Sequence, residues 1–473
     1  MTRLADPQIN FADLEFLVQG VELDPILNRI SDLLDHQLKI IERVRQDLQR
    51  GLKKPATGRP AMTSTQVLRS LILMRVKNWD FRELCERIAD GYTLRRFTNF
   101  YSRRVPKHDA FNRAFNKLRP QTLQAINELV VKAAVELGVE DGKRLRVDTT
   151  VTETDVHHPT DNTLLWDVVR VLTRLVGRLA KIFPTAIDNF PNRTRCARRR
   201  MQELQRMTPR QRHTQQKRKY RQLIKITQQV LDNARAVLEK TKDQDTVGLM
   251  DDIAIGELRR KIDHYCQLAG RVIDQGRRRV LNGEQVPTQE KIYSIFEPHT
   301  NLIKRGKVQK PIEFGHKIFL AETTHGLITQ YHVLEGNPAD QIHVSPSLER
   351  HQQTFGLPPE WYSSDRGFFS NENIKACHNA AVKLVCIPQA GGKRTPQQQA
   401  LEKSSAFKKG QRFRAGIEGR ISVLFRGRGM KRCLVEGLER FEVMVGAAVL
   451  TNNLMTIAHL LNQKQKRFRR AAA

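Results

Sequence analysis

The chain has 473 residues, enough for two or three domains and at least one large hydrophobic core, which excludes a small disulfide-stapled scaffold. Its 81 Lys and Arg against 50 Asp and Glu give a formal net charge of +31 and a pI near 10.3. A polyanion such as nucleic acid neutralises an excess of this size, and such binding weakens steeply with salt. Six scattered cysteines show no zinc-type or redox spacing. No apolar run approaches the ~20 residues of a bilayer span, and the amino terminus lacks a basic-then-apolar pattern. A cytoplasmic chain with reduced thiols and no membrane partner is therefore expected.

Residues 1–57 are expected to form a segment that is helical between Leu23 and Leu52 and then breaks at a linker from Lys53 to Pro60. Residues 58–140 carry a helical module. It opens at TSTQVLRSLILMRVKNW, where hydroxyl caps precede helix-spaced Val67, Leu68, Leu71 and Met74. Shorter helices follow in DFRELCERIAD, PKHDAFNRAFNKL and PQTLQAINELVVKAAVELG. Arg95, Arg96, Arg103, Arg104 and Lys107 stud this module, which suits docking into a DNA groove; a solvated face of an ordinary bundle is the alternative.

A β-branched stretch predicts a strand from about Leu145 to Val151, within a first core segment at 141–161, and Asp148 sits in its middle. Residues 162–285 read as a helical insertion, with Leu164, Leu165, Val168, Val169, Leu172 and Leu175 on one side. Inside it, the stretch from Arg193 to Arg221, including Arg198, Arg199 and Arg200, is nearly devoid of acid. Phosphate contact is expected there, because like charges so dense repel unless something neutralises them; a solvated helix face is the alternative.

Strands resume in KIYSIF, in HKIFLAETTHGLITQYHVLEG and in EWYSSDRGFFS; the second divides at His325-Gly326 as an antiparallel hairpin. A helix over Asn371 to Ala381, a short strand in KLVCIP and a loop from Gln389 to about Gln399 follow. From Phe407 a basic and then apolar region is expected to pack back on the sheet. The core thus runs through 286–462, followed by a basic tail at 463–473, and the whole reads as a mixed α/β fold.

An aspartate inside an apolar strand is costly unless its charge is satisfied, and a divalent cation would do so. Two-metal phosphoryl transfer needs two or three carboxylates converging on ions about 4 Å apart, and magnesium suits such oxygen ligands. Asp148, Asp365 at a neighbouring strand end, and Glu418 on a later helix are the candidates. Arg414, one turn before Glu418, shares its face and is placed to orient the carboxylate or hold a phosphate. Taken without further support, three such acids are as well read as caps or ion-pair partners. Glu153, Asp155, His157 and His158 follow the first strand as flanking groups or as a polar loop. Lys393 and Arg394 suit a flexible phosphate grip without nucleotide-binding spacing.

The segments VDTTVTETDVHHPTDNTLLWD, HKIFLAET with HVLEGN, SSDRGFFS and AGIEGRISVLFRGRGMKRC, in order over residues 60–460, resemble the DDE transposases of bacterial insertion sequences, most of all the ISNCY group. The resemblance implies a ribonuclease H-like catalytic core, with the long basic helical insertion after its first strand, and a helical amino-terminal domain that binds the element's inverted repeats. It matches the family's catalytic and metal-holding acids to Asp148 in VDTT, Asp365 in SDRG and Glu418 in GIEGR, with Mg2+ as cofactor and Mn2+ as a substitute. Arg414 fits the arginine that the family places before the glutamate, whereas Gln411 stands for a tyrosine, Phe425 for a lysine, and Arg426 is one residue displaced. Arg366, Arg414, Arg420 and Arg426 join the expected contacts to double-stranded DNA, both element ends and target. A homodimer on DNA and a place at the bacterial nucleoid follow. The alternatives are a nuclease on the same fold and an inactive or domesticated DNA-binding relative.

Overall fold

A computed structural model of the chain describes residues 2–3, 11–18, 22–53, 59–187, 190–242, 249–304 and 311–472. Residues 54–58 of the expected linker lie outside them. The chain divides into two compact units, Met1–Thr154 with Gly315–Ala473, and Asp155–Phe314.

Among the described residues, the amino-terminal part of the first unit holds eight helices: α1 (Phe11–Val18), α2 (Pro25–Asp35), α3 (Leu38–Gln49), α4 (Ser64–Lys77), α5 (Phe81–Asp90), α6 (Tyr92–Phe97), α7 (His108–Phe115) and α8 (Pro120–Glu136). The helical stretch expected between Leu23 and Leu52 consists of two helices, and the apolar stripe changes phase between them. Leu27, Ile30 and Leu34 are buried, Leu38 is 77% exposed, and burial resumes at Ile40, Val44 and Leu48. A break at Gln37, which has non-helical angles, lets both stripes reach one core. Thr63 and Gln66 form a reciprocal capping box at the start of α4, and Asn78 ends it in the left-handed region. The fully buried Arg69 ties α4 to its neighbours through Asp35 (2.6 Å), Ser31 (2.8 Å) and the Phe97 carbonyl (2.9 Å).

The second unit holds α9 (Asp161–Ala180), α10 (Thr194–Gln205), α11 (Pro209–Lys240) and α12 (Leu249–Gly276), packed on one another around Leu165, Val169, Leu172, Leu223, Leu231 and Ala269. KIYSIF is not a strand. Gln275 takes the place of a strand partner, accepting from the Ile292 N–H (2.8 Å) and donating to its carbonyl (3.3 Å), while Ile292 and Ile295 enter the helical core.

In the first unit the sheet consists of β1 (Arg144–Thr154), β2 (Ile312–Thr323), β3 (Ile328–Val333), β4 (Trp361–Ser363) and β5 (Leu384–Cys386), in the order β3-β2-β1-β4-β5. The first three strands are antiparallel and the last two run parallel to β1. Gly326, at φ +87°, makes the β2–β3 turn. One face of the sheet packs Leu145, Val147, Phe319 and Tyr362 against α13 (Val344–Phe355) and α14 (Asn371–Asn379). The other places Ile318, Leu320 and Ile328 in the core of the amino-terminal helices. That core also takes in α16 (Ser405–Gly427) and α17 (Leu438–Ala472), which follow α15 (Pro396–Lys403). Helix α15 intrudes on the segment expected to be a loop, because Thr395 caps it by accepting from the Gln398 N–H. A two-residue β6 (Arg432–Cys433) pairs with the end of β1.

Helix α17 corrects one expectation. Residues 438–470 are long and apolar enough, by length and composition, to cross a bilayer, and 78% of their most apolar window is buried in the protein. The polar interruption Thr451-Asn452-Asn453 hides this in the sequence. Asn453 instead bonds Asn127 of α8 and both main-chain groups of Ile328, at 2.8 to 2.9 Å, so α17 is fastened to helix and sheet at once.

Burial pushes His332 and His351 down to about 4, His351 against a partial counter-effect from the Gly142 backbone. Both are neutral in the folded protein. An unfolded histidine takes its proton near pH 6.5, so this contribution is complete above that pH and is lost as pH falls towards 4, at on the order of 3 kcal/mol per histidine. Urea midpoints should therefore drop through this window, and His351→Phe should flatten the drop; an unchanged slope would count against it.

Candidate active site

Three carboxylates distant in sequence reach one point through the sheet and a helix laid on it. On β1 the odd positions Leu145 and Val147 enter the apolar core, and the even positions Arg146 and Asp148 face α16. Asp148 is 8% exposed and lies opposite Leu320 of β2. Ser363, in β4, is in parallel register with Arg146, so Asp365, two residues on, comes level with Asp148. Asp365 Oδ1 accepts from the Gly367 N–H at 2.8 Å, which holds the carboxylate at the mouth of a short turn, Arg366–Phe368.

Glu418 is carried by α16, and the closeness of that helix to the strands is set by its small residues. A Cβ on Gly410 would stand 2.1 Å from Cys386 Sγ, and one on Gly416 2.2 Å from an Arg146 nitrogen. Between them, Gln411 donates to the carbonyls of Ser364 (3.2 Å) and Cys386 (2.7 Å), the ends of β4 and β5. Gln411, which departs from the tyrosine of the resembled family, thus anchors the helix. Phe425, which departs from the lysine, packs against the core. Arg146 donates to the Phe413 carbonyl (2.6 Å) and to buried Glu322 (2.8 Å), which also accepts from Arg420 (2.9 Å).

Arg414 is where the acids meet. One of its terminal nitrogens lies 2.9 Å from Asp148 Oδ2 and 3.8 Å from Asp365 Oδ2, and the other 3.0 Å from Glu418 Oε1. Three anions around one cation leave an excess of negative charge. The donor set is all carboxylate oxygen, the chemistry that suits a hard divalent ion such as Mg2+. The acids are held apart around the guanidinium. Among the described residues, the potential ligand atoms that do lie within 4.8 Å of one another belong to Glu140, Asp141 and His325. That group is committed elsewhere: Glu140 accepts from the Asp141 and Gly142 N–H groups and from Thr323, and Asp141 pairs with Lys143.

A fourth acid, Asp340, went unnoticed in the sequence. It accepts from Thr149 (3.0 Å), the neighbour of Asp148, and pairs with Lys317 of β2 (2.8 Å). A Cβ on Gly367 would be 3.1 Å from both an Asp340 and an Asp365 oxygen, so the two acids share the same turn. Its only sequence signal was a polar residue in the segment after the hairpin, shared by many loops.

The remaining candidates differ in what they touch. Arg95 donates to the carbonyls of Tyr101, Arg103 and Ala89; Arg103 pairs with buried Asp13 (3.1 Å); Arg420 is engaged by Glu322 and Asn452. Arg96 is half-buried, whereas Arg104, Arg366 and Arg426 are exposed. In the second unit Arg198 and Arg199 are exposed, and Arg200 pairs with Glu203 (2.7 Å). His157 lies 3.5 Å from Asp167 and His158 stands edge-on to Phe314. Glu153 is at the far end of β1, in register with Arg432. Lys393 is exposed, and Arg394 pairs with Glu402 (2.9 Å). The six cysteines are not joined in disulfides; burial pushes Cys377 up to about 12 and Cys386 to about 11.

Residues 16–117 match a family model described as a transposase domain (DUF772). The match supports a transposase family and hence a DNA-processing enzyme, and it ends before β1 begins, so it concerns the helical part of the first unit and not the three acids. Neither a curated protein nor a solved structure matches the chain.

Proposed function

We propose that this chain is a DDE-type transposase that binds the inverted-repeat ends of an insertion sequence, cleaves them and joins them to target DNA. The observation that carries the reading is that Asp148, Asp365 and Glu418 all pair with the one guanidinium of Arg414. The transposase-domain match over residues 16–117 and the net charge of +31 support it independently. The strand order β3-β2-β1-β4-β5, with three antiparallel strands followed by two parallel ones, agrees with the ribonuclease H-like core that the resemblance implies.

In this reading Asp148, Asp365 and Glu418 would hold Mg2+, for which Mn2+ would substitute, and the chemistry it would supply is activation of water or a 3′-hydroxyl and stabilisation of the leaving oxygen. The chain's own residues supply placement. Asp148 is immobilised by its strand, Asp365 by the Gly367 N–H, and Glu418 by a helix that Gln411 and Arg146 anchor to the sheet. Exposed Arg104, Arg198, Arg199, Arg366 and Arg426 neutralise phosphates in double-stranded DNA, while Arg95, Arg103 and Arg420, engaged internally, shape the surface that presents them. Two ends must be held together for joining, so the working form on DNA is a homodimer at the bacterial nucleoid.

The test is incubation of the protein and Mg2+ with labelled duplexes carrying the inverted repeats that flank its gene, together with a target duplex. Nicks leaving a 3′-hydroxyl and joined products are expected, with binding that falls linearly in log affinity against log salt. Hydrolysis without joining would favour the nuclease on the same fold, and binding without cleavage the inactive or domesticated relative.

A further inference from the structure

The guanidinium of Arg414 stands on the oxygens that a metal ion would need. It contacts all three acids, is 18% exposed on its side chain, and has a buried Nε without a hydrogen-bond partner. An arginine fork matches carboxylates in geometry and charge, and it keeps its charge at any physiological pH. Three carboxylates brought together without a cation would repel, so the group needs a positive charge to persist before metal arrives. Within this group of four, three negative charges face one positive charge. A divalent ion is therefore still attracted to the cluster while its oxygens are engaged.

We propose that Arg414 is a positioning residue that acts as an internal counter-cation: it assembles the metal-free triad, and it withdraws for metal to enter. This rests on the proposed reading of Asp148, Asp365 and Glu418 as metal-holding acids. Helix α16 is fastened by Gln411 to two strand ends and by Arg146 at Phe413, so withdrawal is a rotation of the side chain and not of the helix. The pair with Glu418 breaks first, because Glu418 is 66% exposed and water screens it, whereas Asp148 is 11% exposed. Metal loading is then an exchange of cations with an intramolecular competitor, and the competitor weakens the apparent affinity.

The test measures Mn2+ binding to the full chain by electron paramagnetic resonance, without DNA, alongside melting temperatures with and without Mn2+. Arg414→Gln should bind Mn2+ about tenfold more tightly than the unaltered chain, a difference of about 1.4 kcal/mol. Its melting temperature without Mn2+ should be lower, and the rise on adding Mn2+ larger. Arg414→Lys, which keeps the charge and loses the fork, should fall between the two and carries the measurement if the glutamine variant does not fold. Affinity equal to or weaker than that of the unaltered chain in these variants overturns the proposal. Asp148→Asn separates the two layers. Loss of Mn2+ binding in Asp148→Asn with no tightening in the Arg414 variants removes the counter-cation alone, and Mn2+ binding insensitive to Asp148→Asn removes both it and the metal-holding triad.

Discussion

Asp148→Asn should lower the rate of DNA end cleavage at least about a thousandfold while end binding stays within a few-fold of the unaltered protein. The amide is nearly isosteric and removes the negative charge with little change in volume, so the strand that carries it should still form. Asp148 is the most buried of the three acids at 8% exposed and has Arg414 at 2.9 Å. Losing its charge therefore affects the site more than losing that of Glu418, which is 66% exposed on its side chain. Asp365→Asn and Glu418→Gln should also abolish most cleavage, because a site that needs converging oxygens loses one in each case. Single-turnover cleavage of labelled ends, with gel-shift binding beside it, decides the matter. Full cleavage in any one variant removes that acid from the site.

Glu322→Ala should be the most damaging substitution away from the acids. Glu322 is fully buried and accepts from Arg146 (2.8 Å) on the strand of Asp148 and from Arg420 (2.9 Å) on the helix of Glu418. Removing it leaves two arginines, at 12% and 21% side-chain exposure, without their anion. Breaking a buried pair in this way costs about 3–5 kcal/mol, which should appear as a lower urea midpoint. Because Arg146 also donates to the Phe413 carbonyl, five residues before Glu418 on the same helix, the variant should lose cleavage even under conditions where it remains folded. A midpoint within the error of the unaltered protein would mean that α16 is held by its apolar contacts and by Gln411 alone.

The parts of this architecture that are local in origin could be read from the residues. A β-branched run gives β1 and places Asp148 inside it, Gly326 marks the hairpin turn, and the Thr63 and Gln66 pair marks the start of α4. Contacts that depend on distant partners were not legible. KIYSIF has the composition of a strand, but Gln275 satisfies Ile292 and turns its apolar residues into a helical core. The phase change between Leu34 and Ile40 is present in the residues, yet an unbroken helix is equally consistent with their spacing until the common core is seen. The span-like apolar length of α17 is masked in the sequence by Thr451-Asn452-Asn453, polar residues that the fold buries, with Asn453 bonded to α8 and β3.

The site follows the same division. The motifs around Asp148, Asp365 and Glu418 singled out the three acids that Arg414 pairs with, and helical spacing placed Arg414 one turn from Glu418. That Arg414 also reaches the two aspartates could not be inferred, since it depends on how close α16 lies to the sheet. Gly410 and Gly416 allow that approach, and their role is visible only where a Cβ would meet Cys386 and Arg146. Asp340 reaches the turn of Asp365 through tertiary proximity alone.

Anomalous scattering from Mn2+, in crystals of the protein bound to its element ends, locates the metal. A manganese peak is expected among Asp148, Asp365 and Glu418, with Arg414 turned away from Asp148 and the scissile phosphate beside the ion. A manganese peak at Glu140, Asp141 and His325, with none at the triad and the DNA end lying elsewhere, would contradict it.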